Sequence, residues 1–182
     1  MNIVERAKRI ILKPKDEWEV IDQETTGVQE LVTKYLVPLA LIATIASFIG
    51  YAFIAKGHGF GMGIEYGIAY FLIYVGGALI SAWIIDALAG SFGSTRDFRK
   101  AMQLVTYSYT PMMVAAIVMI VPSLGWIMML AGIYSLYVLY TGFKPMMKTP
   151  DDKVTPYFIV SLVVMVVVYL VLSRIFVRII VG

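Results

Sequence analysis

Long uncharged apolar runs dominate the chain, and the charges fall between them. Stretches without Asp, Glu, Lys or Arg cover residues 35–55, 66–85, 101–143 and 154–173. A helix needs about 20 apolar residues to cross a hydrocarbon core of about 30 Å, so the first, second and fourth runs each predict one crossing. The third, 43 residues long, would measure about 65 Å as one helix at 1.5 Å per residue. That is twice the hydrocarbon thickness, so this run predicts two crossings, with Pro122-Ser123-Leu124-Gly125 as the turn between them. The pattern therefore predicts an all-α polytopic membrane protein. Its bundle has five transmembrane helices, over about 35–55, 66–89, 101–121, 124–141 and 156–178.

The first 34 residues have a different period. Ile3, Val4, Ala7, Ile10 and Ile11 recur at helical spacing while Arg6, Lys8, Arg9 and Lys13 cover the other side, the pattern of an amphipathic helix lying in a membrane surface. Pro14 ends that helix, and Trp18 with Ile21 begins a second short amphipathic turn. Residues 1–34 thus form an N-terminal amphipathic interfacial leader, and 35–182 the transmembrane domain. Arg6, Lys8, Arg9, Lys13 and Trp18 make the face expected to meet anionic lipid or a cytoplasmic protein partner.

Composition supports a membrane protein: 60% of residues are hydrophobic and 15% charged, against roughly 25% charged in soluble domains. The distribution of Lys and Arg sets an orientation. Twelve lie in the leader, the second loop and the fourth loop, and three (Lys56, Arg174 and Arg178) on the other side. The N-terminus is expected in the cytoplasm and the C-terminus outside. No cleavable signal peptide is expected, because the start is charged from Glu5 and lacks an unbroken apolar core.

The polar residues inside the apolar runs are the candidates for chemistry. Tyr107-Ser108-Tyr109-Thr110-Pro111 puts four hydroxyls and a proline inside a span; Pro111 predicts a kink, since it lacks a donor and clashes with the carbonyl four residues back. Asp86 closes the second span on the same side and is the second half of a candidate polar cluster, or else an interfacial acid paired with Arg96 or Arg99. At the opposite side Glu65, Arg174 and Arg178 form a candidate ion pair, with headgroup snorkelling as the competing reading. Ser94 and Asp97 read as a capping box for the third span, and Gly142 as the stop of the fourth. Small residues four apart, Ala43-Ser47 and Gly77-Ser81, read as helix contacts. The glycine-rich loop around His58 lacks the Lys-Ser/Thr ending of a phosphate loop. With no cysteine and one histidine, no catalytic set or metal site is legible. The expectation is no enzyme, no cofactor and no nucleic-acid partner.

Ser91-Phe92-Gly93, then a helix into Tyr107, Tyr109, Pro111 and Met112, resembles the Yip1 domain family. So do the five-span layout, the segment "IYSLYVLYTGFKPMM" and the Pro156-Tyr157 start of the last span. The resemblance covers nearly the whole chain. Eukaryotic relatives are Golgi and endoplasmic-reticulum proteins linked to vesicle traffic and Rab-class GTPases. No counterpart of their long cytosolic N-terminal region is expected here, and no Asp-Leu-x-Gly-Pro motif stands ahead of the first span. The resemblance then implies a prokaryotic inner-membrane protein, and the basic face at residues 6–13 with no legible catalytic set leads to the expectation of a non-catalytic scaffold for membrane or partners. The alternative is a small transporter or channel for an ion, proton or lipid, lined by Asp86 and the Tyr107–Pro111 hydroxyls.

Overall fold

The computed structural model describes residues 2–57 and 59–181, with side chains as far as residue 168. Among the described residues every regular element is helical. The leader forms two helices, α1 (Ile3–Leu12) and α2 (Pro14–Asp22). Asn2 caps α1 by accepting from the backbone N–H of Val4 at 3.0 Å and Glu5 at 3.2 Å, and Pro14 opens α2, where its missing donor costs nothing. Four longer helices follow: α3 (Val28–Ile54), α4 (Phe60–Phe92), α5 (Phe98–Ile120) and α6 (Trp126–Met147). Each is long and apolar enough to cross a membrane. The last helix, α7 (Val154–Val181), has 28 residues. His58, Arg174 and Arg178 lie outside the residues whose side chains are described, so the ion pair expected at Glu65, itself exposed, has no described partner there.

α3 begins at Val28, seven residues before the expected start, which puts Pro38 inside the helix rather than in its first turn. A π-helical turn at Val32–Leu36 accommodates it: the N–H of Val37 bonds to the carbonyl of Val32. Widening the helix there absorbs the proline, whose ring crowds the preceding turn and which has no N–H to give. A second π-turn at Gly50–Ile54 ends the helix beside α5. Gly50 is obligatory at that crossing, because a Cβ would land on the carbonyl oxygen of Met119.

α3 and α4 pack along their lengths. At Gly63 an added Cβ would lie 2.6 Å from the Ala52 Cβ, and at Gly67 3.4 Å from the Thr44 carbonyl. These close approaches are the packing mode of helices in lipid, where dispersion rather than hydrophobic exclusion holds helices together. Tyr51 and Tyr66 stack at 3.7 Å across the same pair. The outward surfaces stay apolar: Leu72 is 55% exposed, Met129 66% and Val163 56%. Such stripes on every long helix fit contact with lipid tails.

α5 is the central helix. Ala101 through Ser108 are buried on every side, although this segment carries the mixed sequence "AMQLVTYS". Its N-cap is Asp97, which accepts from Lys100 N–H at 3.1 Å. Ser94, expected as the cap, instead donates to Thr149 Oγ1 at 2.9 Å and ties the α4–α5 loop to the α6–α7 loop. α5 is broken where the Pro111 kink is expected. The α-helix Phe98–Ser108 ends at Tyr109, Thr110–Ala115 restarts it with Pro111 in the first turn, and Ala116–Ile120 tightens into 3-10 geometry. α6 does not stop at Gly142. It runs through Gly142 and Pro145 to Met147 and is ended by Lys148 in left-handed conformation, φ 51°. Gly142 serves another purpose, since a Cβ there would lie 2.7 Å from Trp18 Cε2.

Candidate functional site

The leader does not lie beside the bundle; it is packed into it, α1 against α5 and α2 against α6. Trp18 is fully buried and its Nε1–H is shared between the Val138 carbonyl at 3.1 Å and Thr141 Oγ1 at 3.2 Å. The Tyr134 hydroxyl donates to the Ile11 carbonyl at 2.6 Å, which satisfies an end carbonyl of α1. Two members of the expected outward face are therefore inside. Arg6 is 8% exposed and Trp18 0%. The physical reason is that helical spacing places Arg6 beside Ala7 and Ile10, so the face buried against α5 includes one charge, which the fold then neutralises.

That neutralisation is local. The Arg6 guanidinium donates to both Glu17 and Glu24 and lies 5.5 Å from the ring centroid of Tyr107. Tyr107 in turn meets Tyr35 edge-on at 4.8 Å and Trp18 at 6.4 Å. The Tyr35 hydroxyl pairs with Thr110 Oγ1 at 2.9 Å. Leader, α3 and α5 thus converge on one aromatic and ionic junction. A second tie lies at the end of α2. Lys148 pairs with Asp22, Lys100 reaches the same carboxylate at 3.5 Å, and Lys100 also donates to the carbonyls of Ile21 and Asp22.

Burial pushes the Asp22 carboxyl up, but Lys148 and Lys100 together outweigh it and hold it below its ordinary value. A carboxyl depressed in the folded state stabilises the fold fully above its unfolded value of about 3.9, and that stability is lost as pH falls through the lower folded value. Asp22→Asn is therefore expected to lower the melting temperature at pH 7 and to have a smaller effect near pH 3. Melting curves of both proteins at the two pH values check this; an equal gap at both values removes the pair from the leader's docking.

The residues expected to form one polar cluster separate into four places. Tyr107 and Thr110, three apart on α5, face the leader and Tyr35. Tyr109 points to the opposite side, with its hydroxyl 3.2 Å from Ser81 Oγ and its ring 6.4 Å from Tyr74. Two residues along a helix turn a side chain by about 200°, so adjacency in sequence keeps these hydroxyls apart. Ser108 donates back to the Leu104 carbonyl at 2.7 Å, within its own helix. Asp86 lies at the end of α4, 3.4 Å from Arg96 Nη2, and its Oδ1 is buried without a hydrogen-bond partner among the described residues. The Tyr157 hydroxyl beside it donates to the Ile85 carbonyl. Lys8, Arg9 and Lys13 do face outward.

Glu17, Glu24 and Tyr35 are central here and were not singled out by the sequence pattern. Glu17 carried a faint signal: it stands between Pro14, Trp18 and Ile21 on the apolar side of α2. Among the described residues no group of His, Cys, Asp and Glu is placed to hold a metal ion.

Apolar outward stripes on four membrane-length helices, and a helical leader packed among them, define an all-helical multi-pass membrane protein. The chain belongs to the Yip1 domain family, whose family model matches residues 8–173. No curated protein and no solved structure matches it.

Proposed function

We propose that this protein is a non-catalytic membrane scaffold, with α7 as its fifth span, its N-terminus in the cytoplasm and its C-terminus outside, in a prokaryotic inner membrane. The observation that carries the reading is how the leader is held. Its buried side is fastened by Arg6, Trp18 and Asp22, so Lys8, Arg9, Lys13 and Lys15 are left outward on a rigid support beside the exposed Val4 and Leu12. A basic face with apolar neighbours, fixed at a membrane surface, suits anionic lipid or an acidic protein partner. The hydroxyls of Tyr109 and Thr110 are engaged in holding helices together and that of Ser108 bonds within its own helix, which supports a packed joint over a conduction path.

Two measurements test this. Proteoliposomes holding the purified chain are expected to pass protons and monovalent ions no faster than empty vesicles; a flux that Asp86→Asn abolishes would overturn the scaffold reading. A photo-cross-linker at Lys15 is expected to capture a discrete adduct, lost when Lys8 and Lys13 are both changed to Glu. No adduct to protein or anionic lipid at that position would also overturn it.

A further inference from the structure

α1 and α2 form a hairpin that stands along the bundle, and contacts at three heights fix its direction. Asp22, the last residue of α2, meets Lys100 near the start of α5 and Lys148 just past the end of α6. Further in, Trp18 bonds to the Val138 carbonyl and Thr141 and packs over Gly142, which also faces Leu104. Furthest in, the Ile11 carbonyl accepts from Tyr134. Tyr134 precedes Gly142 by eight residues, about 12 Å at 1.5 Å per residue. The apex of the hairpin, Leu12-Lys13-Pro14-Lys15, therefore points away from the Lys100 end and toward the middle of the bundle. Leu12 is 66% exposed there. Lys13 and Lys15 face outward, and neither is in an ion pair among the described residues.

The spanning helices fix the level of the bilayer. Exposed Lys34 precedes Ile54, the end of α3, by twenty residues, about 30 Å at 1.5 Å per residue and the thickness of a hydrocarbon core. Tyr35, next to Lys34, meets Tyr107 edge-on, and Tyr109 reaches Ser81. One headgroup level on the leader's side thus passes Lys34, Tyr107 and Ser81. Trp83, 64% exposed, lies beside it, as interfacial aromatics do. Exposed surface changes character there: Leu72, Ile73 and Val163 on the membrane side, Ala87, Lys144 and Thr155 beyond it. From Tyr107 back to Phe98 α5 still has nine residues, about 14 Å, so the ends of α4, α5 and α6 stand clear of the hydrocarbon, Asp86 among them. Leu104 lies about 4 Å outside the level of Tyr107, and Ile11 about 12 Å inward of Leu104. The apex is then about 8 Å below the headgroup level, inside the range of about 5–10 Å for an interfacial amphipathic segment.

We propose that the α1–α2 apex is inserted in the lipid leaflet on the leader's side, with Leu12 among the acyl chains and Lys13 and Lys15 on phospholipid phosphates. Lysine stems carry their ammonium groups back from that depth to the phosphate layer. A segment near the start of the chain then reaches deeper into the bilayer than the end of a spanning helix. This rests on the outward face of the leader described above and names its partner as lipid: an apex below the headgroups is out of reach of a soluble acidic protein.

The chain has no cysteine, so a single introduced cysteine reports its own position. Bimane is attached to Leu12→Cys, Ala87→Cys or Leu72→Cys in the full chain. Each protein is reconstituted in vesicles of phosphatidylcholine and phosphatidylglycerol, and quenching is read with nitroxides high on the lipid acyl chain and with iodide on both faces. Leu72, exposed near the middle of α4, calibrates a lipid-facing probe. Nitroxide is expected to quench the probe at position 12 about threefold more than the one at 87, as fits an interfacial segment against one in water, and iodide to do the reverse. Adding Lys13→Glu and Lys15→Glu to the Leu12→Cys protein is expected to reduce its lipid quenching to about half, since carboxylates are repelled by phosphate. A probe at 87 quenched by lipid as strongly as the one at 12 overturns the proposal, because the end of α4 would then lie in the bilayer. A probe at 12 that iodide quenches and lipid does not also overturns it; that result leaves the scaffold reading standing, with the apex free for an acidic protein. Unchanged lipid quenching in the double-glutamate protein overturns the phosphate contact.

Discussion

Arg6→Ala is expected to destabilise the folded leader by about 3–5 kcal/mol, the usual cost of removing one partner from a buried ion pair. Glu17, 4% exposed, would be left as a charge with neither water nor countercharge. Glu24 would lose its donor as well, and the Tyr107 ring its guanidinium. The effect should appear as a lower melting temperature and as faster tryptic cleavage at Lys8, Arg9 and Lys15, because undocking the leader frees its backbone. The same argument predicts a rescue. Arg6→Met combined with Glu17→Met and Glu24→Met removes all three charges together and is expected to recover much of the loss, since apolar replacement of a whole buried ionic set is often neutral. A single Arg6→Ala protein with wild-type melting and an uncleaved leader would show that the network does not hold the leader in place.

Trp18→Ala is expected to cost about 3–5 kcal/mol, the range for deleting a large buried aromatic side chain. The indole fills the space that Gly142 leaves open on α6, and its Nε1–H is divided between two acceptors there. Trp18→Phe should cost less, because it keeps most of the packing and loses the shared hydrogen bond, worth about 1–3 kcal/mol when a buried acceptor is left behind. Gly142→Ala reaches the same contact from the other side, where the new methyl would collide with the indole. Since the two changes share one contact, Gly142→Ala should cost less once Trp18 is already Ala, though the methyl would still meet Leu104 Cδ1. Chemical unfolding of the two single variants and the double checks this; additive losses would mean that Trp18 and Gly142 do not share a contact.

The placement of the leader and of the Tyr107–Pro111 hydroxyls depends on contacts that periodicity does not carry. Periodicity reports which side of a helix is apolar, but not what that side meets. Ile3, Ala7, Ile10 and Ile11 announced a buried stripe, and a membrane surface and a helical bundle satisfy such a stripe equally well. Arg6 decided nothing in one dimension, because a cation next to an apolar stripe reads as the polar edge. Its acidic partners lie 11 and 18 residues away, beyond the reach of helical spacing. Likewise the four hydroxyls before Pro111 are neighbours along the chain yet face different helices, and their partners Tyr35 and Ser81 stand 75 and 28 residues distant. The candidate site became legible only once those separations were closed.

By itself the sequence determined the material of the fold. Apolar runs of membrane length, charges confined between them, Pro14 dividing two leader helices and Pro111 interrupting a span all followed from local chemistry. Hydrophobic length and proline geometry act over a few turns, and so they are written in consecutive residues. The tertiary structure decided the rest: that the leader docks one side against the bundle, that Gly142 makes room for an indole instead of ending a helix, that Asp97 rather than Ser94 caps α5, and that one arginine is shared by two glutamates. Each of these depends on which surfaces meet, and a pairing between distant segments is set by the packing of the whole chain, not by the residues on either side.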